Sequence, residues 1–125
     1  MSPATATCIR ERVRPWLEAA AEWADEGMTW PRIVAGLDAG EFHLLANHTA
    51  AAIIQPHEQP DGQLVVHIAL AGGDLAGVEE LVSQAEEIAR YNRAAKVTVM
   101  GREGWRRLAK KIGYRVDAVQ YVKEL

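Results

Sequence analysis

The sequence has a single cysteine, Cys8, which excludes an intrachain disulfide framework and any cysteine-rich zinc site. Long apolar runs are missing too. The longest stretch without a charge, residues 42–57, is interrupted by His, Asn, Thr and Gln, which excludes a membrane-spanning helix there. Residues 1–7 carry neither the basic nor the apolar segment of a secretory leader. Gly, Pro and Ser are not abundant enough to imply disorder. These absences leave a soluble, cytoplasmic domain as the expectation.

What is present fits that expectation. The chain has 125 residues, 49% of them hydrophobic and 25% charged. One domain of this length buries roughly two-thirds of its unfolded surface, enough for a self-sufficient core. The net charge of −3 is unevenly spread. Residues 16–89 hold thirteen acidic side chains and one basic one, Arg32, for a local charge of −12. Residues 90–115 hold nine basic side chains against Glu103, for +8. Such asymmetry marks either an anionic partner or a basic segment folded against an acidic one.

Apolar periodicity outlines the elements. Val13, Trp16, Leu17, Ala20, Trp23 and Ala24 make one helical stripe, predicting a helix over 13–26 with Pro15 in its first turn and Gly27 at its end. Thr29 caps a second helix, with Trp30, Ile33, Val34 and Leu37 on one face and a stop at Asp38-Ala39-Gly40. The period then changes to two, predicting strands over 42–46, 49–55 and 64–70, with a hairpin loop at Pro60-Asp61-Gly62. Leu64, Val66, Ile68 and Leu70 share one face of the third strand and Val65, His67 and Ala69 the other. A strand apolar on both faces is expected to be central. Asp74 caps a long helix reaching about Asn92, followed by a buried strand over 96–100 in parallel pairing. A short helix over 104–112 buries Trp105, Leu108, Ala109 and Ile112, with Gly113 closing it. A final strand is expected over 115–123. The order is ααβββαβαβ in one α/β domain, with a mixed central sheet covered by helices on both faces.

This order resembles the GNAT acyltransferase superfamily from about residue 42 onward, with its first strand missing. The chain is more closely similar to short GNAT-like proteins of tailed bacteriophages and prophages. The residues that carry the likeness are Val13-Arg14-Pro15-Trp16-Leu17-Glu18, Leu70-Ala71-Gly72-Gly73-Asp74-Leu75, Gly101-Arg102-Glu103-Gly104-Trp105, Gly113-Tyr114 and Val122-Lys123-Glu124-Leu125. The resemblance implies an acetyl-coenzyme A site whose pyrophosphate rests on backbone N–H groups at the start of the long helix. It places Gly72, Gly73 and Gly77 there. The family's leading Arg or Gln is absent, and Asp74 would bring a carboxylate to the phosphates. The family's acid, a Tyr four residues before the Gly-aromatic pair, is replaced by Ala109. Trp105 stands where the family has a small residue, and Arg102 where it often has Asn.

His67, on the central strand, is the candidate general base, because an imidazole can take a proton from an ammonium near neutral pH. The spacings of His43, His48, His57 and His67 match no metal-ligand pattern. Two readings result. The first is a non-catalytic, phage-derived GNAT-like protein that needs no cofactor. It would contact phage structural proteins or further copies of itself through Arg102, Arg106, Arg107, Lys110 and Lys111, in the host cytoplasm or the virion. The second is an acetyl-coenzyme A-dependent N-acyltransferase with an atypical cofactor loop. A sequence pI near 5.8 opposes dedicated nucleic-acid binding.

Overall fold

The computed structural model describes residues 3–24, 27–100, 105–117 and 121–125. Two helices, α1 (Pro3–Ala21) and α2 (Trp30–Asp38), precede three antiparallel strands, β1 (His43–Ala46), β2 (Ala50–Glu58) and β3 (Leu64–Gly73). Helix α3 (Leu75–Tyr91) then crosses over to β4 (Lys96–Val99), and α4 (Arg106–Lys111) follows. The sheet order is β1-β2-β3-β4, with β3 and β4 parallel. That is the mixed sheet the periodicity predicts.

Helices cover both faces. Ala50, Ala52 and Ile54 of β2 and Val66 and Ile68 of β3 face Val78, Leu81, Val82, Ala85 and Ala89 of α3. The intervening Ala51 and Ile53 face the other way, onto Val13 and Leu17 of α1, Ile33 of α2 and Phe42. Small residues on β2 let both layers approach the sheet closely. Leu17, Ile33, Ile53 and Ile68 are essentially inaccessible, and burying each such side chain stabilises the fold by about 1.5–3 kcal/mol.

Several expectations need correction. Helix α1 starts at Pro3, ten residues early, and Pro15 lies in its interior. The proline ring cannot donate to the Glu11 carbonyl, and both residues sit on the exposed face, where water can serve that carbonyl. The helix also stops at Ala21, so Trp23 leaves the predicted stripe and is 65% exposed. Pro56 and His57, beyond the expected strand over 49–55, belong to β2. Proline is tolerated there because the pairing with β1 ends at Ile54, leaving that side of β2 as an edge.

Leu70 is not on the face of Val66 and Ile68. Register runs Ile54↔Ile68 and then Ile53↔Leu70, so Ala69 is one residue extra. This β-bulge turns Leu70 onto the α1–α2 side. Finally, the last strand is absent among the described residues: 114–117 and 121–125 are irregular, and Val116, Tyr121 and Val122 are exposed. Residues 118–120 of that expected strand lie outside the described residues.

Two glycines fix how closely these layers meet. A Cβ on Gly72 would fall inside contact distance of the Trp16 carbonyl, and one on Gly36 would meet the Phe42 ring. Gly72→Ala should therefore force α1 off the sheet and cost about 1–3 kcal/mol in urea unfolding. Gly27→Ala, with nothing within 4 Å of the new methyl, should stay within about 0.5 kcal/mol of the parent. Equal effects would show that the crossing at Gly72 has slack.

Candidate functional site

The junction of β3 and α3 is one residue long. Gly73 ends the strand at φ +120, Asp74 is the N-cap and Leu75 begins the helix. Asp74 Oδ1 accepts from the Gly77 N–H at 2.6 Å and from the Thr49 hydroxyl at 3.0 Å. The Asp74 N–H donates to the Thr49 carbonyl at 3.0 Å, and Asn47 Nδ2 donates to the Gly77 carbonyl at 3.0 Å. Asn47 is itself held by accepting from the Thr49 and Ala50 N–H groups. The junction is thus sewn to the turn before β2. From the sequence Asn47 reads only as part of a tight reversal with His48, and Thr49 is not singled out; a polar pair in a turn gives no signal of partners 25 and 30 residues away.

Gly72, Gly73 and Gly77 stand where a phosphate cradle was expected, yet the chain itself fills the space beside each. A Cβ would meet the Trp16 carbonyl at Gly72, the Thr49 carbonyl and Ala50 at Gly73, and Thr49 Oγ1 at Gly77. Close packing accounts for all three. The residues present do not fit the pyrophosphate of coenzyme A. Its negative charge would meet the Asp74 carboxylate, which already takes one of the few free N–H groups at the helix start.

His67 lies mid-sheet, half-buried, between Gln55 on β2 and Thr98 on β4. Its Nδ1 is 2.7 Å from the Thr98 hydroxyl, which leaves Nε2 for another partner. Burial, and to a lesser degree the charge of His57, lowers its pKa below 6.5. It is therefore neutral at physiological pH. Beside it, Ala69 has no register partner on β2, because of the bulge, and none on β4, whose pairing ends at Ile68↔Val99. The bulge was invisible in the sequence because Ala is compatible with either face.

Tyr114 donates its hydroxyl to Glu86 at 2.7 Å, and burial followed by this carboxylate raises its pKa above the ordinary tyrosine range. Trp105 packs with Val82, Val99, Leu108, Ala109, Ile112 and Tyr114 between α3 and α4. Arg106, Arg107, Lys110 and Lys111 are all exposed on α4, whereas Arg102 lies outside the described residues. Lys111 reaches Glu79 on α3 at 3.9 Å. No group of three or more His, Cys, Asp or Glu side chains converges among the described residues.

No sequence-family profile and no curated protein matches the chain. Solved structures do. The crystal structure of a probable acetyltransferase superposes with TM-score 0.68 at 15% identity, covering 100% of this chain and 95% of the other. Ribosomal-protein-alanine N-acetyltransferase from Brucella melitensis biovar Abortus 2308 gives 0.65 at 13% identity, covering 89% of each chain. A predicted acetyltransferase from Clostridium acetobutylicum, solved with acetyl-CoA, gives 0.60 at 13% identity, covering 98% and 88%. At such identities the likeness concerns architecture alone, and the chain has a GNAT-like fold.

Proposed function

We propose that this chain is a GNAT-fold protein, related to those of phages and prophages, that acts by binding other proteins and does not transfer acyl groups. The observation that carries the reading is the 2.6 Å bond from the Gly77 N–H to Asp74 Oδ1, which puts a carboxylate where the fold would receive a phosphate. Two further features support it. Ala109 can donate no proton, and the Tyr114 hydroxyl is committed to Glu86. In this reading the exposed cations of α4 serve a protein contact in an assembly or a virion.

A second reading, an acyltransferase with an unconventional donor site, is favoured by one observation. Ala69 is unpaired by register on both sides and lies two residues from the neutral His67. A backbone N–H freed at a bulge can receive a carbonyl oxygen, and Nε2 of a neutral imidazole can take a proton from an amine.

Thermal unfolding with acetyl-CoA separates the two. A ligand present at about 100 times its Kd contributes about 2.7 kcal/mol, a shift of several degrees. No shift at millimolar acetyl-CoA is expected; a clear rise would overturn the first reading. The His67 environment is tested by pH. Its folded pKa is lowered, so the unfolded chain binds more protons as pH falls through about 6.5. Stability should be full above that value and decline below it, more in the parent than in His67→Gln. Identical losses in both proteins between about pH 7.5 and about pH 5 would show that His67 is not the group responsible.

A further inference from the structure

Strand β1 comes first in the sheet order and pairs with β2 through residues 43–46. Among the described residues no strand lies on its other side, and the undescribed ones cannot supply one. Residues 101–104 and 118–120 are tethered near β4, because Trp105 and Tyr114 pack with Val99 and Asp117 lines the same groove as Lys96. Four inter-strand spacings, about 19 Å, separate β4 from the far side of β1, whereas three extended residues span only about 10 Å. The gaps at 1–2 and 25–26 are too short to pair along a four-residue strand.

This edge has none of the features that usually guard one. His43-Leu44-Leu45-Ala46 carries no lysine, carboxylate or proline, and its register with β2 runs without a bulge. The Asn47 N–H donates to the Ala50 carbonyl, so alternation turns the backbone groups of His43 and Leu45 toward β2 and those of Leu44 and Ala46 outward. Leu44 packs with the α1–α2 core and Leu45 with the α3 core, yet both stay half-buried while Ile53 and Ala52 opposite them are buried. A second uncovered surface adjoins the edge. Helix α1 passes Gly72 of β3 at Trp16 and reaches the Asn47 carbonyl with Arg12, so the residues before Arg12 continue toward the outside of β1. None of residues 4–12 is buried.

We propose that β1 is the seam of a two-fold dimer, in which it pairs antiparallel with β1 of a second copy and joins two four-stranded sheets into one. The strand selects that occupant because it complements itself. With Leu45 facing Leu45 of the second copy, each Leu44 pairs with an Ala46, and the outward N–H groups of one strand meet the outward carbonyls of the other. His43 then lies across from Asn47 at either end of the apolar centre, polar against polar. The two-fold axis stands normal to the sheet, which keeps both α3 helices on one face and brings the uncovered start of each α1 toward the other copy. The seam is separate from the α4 contact proposed above.

Analytical ultracentrifugation from micromolar to millimolar protein should show the mass rising from the 13.8 kDa of one chain to twice that value. Ala46→Lys, which puts a charge into the seam, should stay monomeric at concentrations where Ala46→Ser is a dimer, with the far-UV circular dichroism of the parent in both. Oxidative cross-linking reads the register. In a Cys8→Ser background, Leu45→Cys should close a disulfide across the axis, since facing residues at a non-hydrogen-bonded position bring their Cα atoms about 4.5 Å apart. Leu44→Cys should not, because it faces Ala46 and not its own counterpart. A parent that remains monomeric at millimolar concentration, a dimer that Ala46→Lys leaves intact, or equal cross-linking at positions 44 and 45 would overturn the proposal. The mass of the unaltered chain decides the matter even if a variant fails to fold. None of these outcomes bears on the acetyl-CoA measurement, so the seam and the functional reading fail separately.

Discussion

The contact between the start of β2 and the start of α3 allows no side chain between them. Thr49 and Ala50 fill the space beside Gly73 and Gly77, and Asp74 joins the two segments from both its backbone and its carboxylate. Because β2 pairs with β3 along its whole length, this contact fixes the axis of α3 against the sheet. The position of β4 follows, since α3 delivers the chain to it. A helix start that serves as a structural clasp has little left to offer an anion. The same residues thus hold the fold together at this point and occupy one of the N–H groups at the helix start.

Much of this arrangement was legible in the sequence, for reasons that can be assigned. Thr29 and Asp74 cap helices because their side-chain oxygens reach N–H groups that have no partner in the first turn, and that requirement is local. Gly62 at φ +84 and the Asp61 side chain make the hairpin turn on equally local grounds. Readings that depended on partners far away in the chain fared worse. Nothing near Ala69 signals a bulge, because the extra residue is required by how β2 and β3 pair. The alternation over 115–117 and 121–123 satisfies a strand pattern, yet these described residues are irregular.

The charge asymmetry turns out to be partly internal. Arg10 pairs with Asp38, Arg90 with Glu86 and Lys111 with Glu79, so basic groups from either side reach the acidic middle of the chain, within which Arg32 pairs with Glu41. These pairs are exposed and individually contribute little, on the order of 0–1 kcal/mol. Three arginines also lie over aromatic rings: Arg12 on Trp16, Arg14 on Trp30 and Arg32 on Phe42. The α1–α2 side thereby absorbs its cations into packing. On the side bounded by β4 and α4, Arg90 and Lys111 pair with carboxylates of α3, while Lys96 and Lys110 are exposed.

The extra residue in β3 has a consequence for how this strand can vary. Before Ala69, even-numbered positions face α3; after it, Leu70 faces α1 while Ala71 lies toward α3. One strand thus serves two cores in opposite phase, and the phase is set by a count of residues and not by their chemistry. Substitutions that keep hydrophobicity can pass through this strand, but a one-residue deletion or insertion cannot. It would exchange the faces of everything from Leu70 to Gly73 and carry Gly72 away from the helix that needs its missing side chain. This strand should therefore accept hydrophobic exchanges over residues 64–71 while its length, Gly72 and Gly73 stay constant.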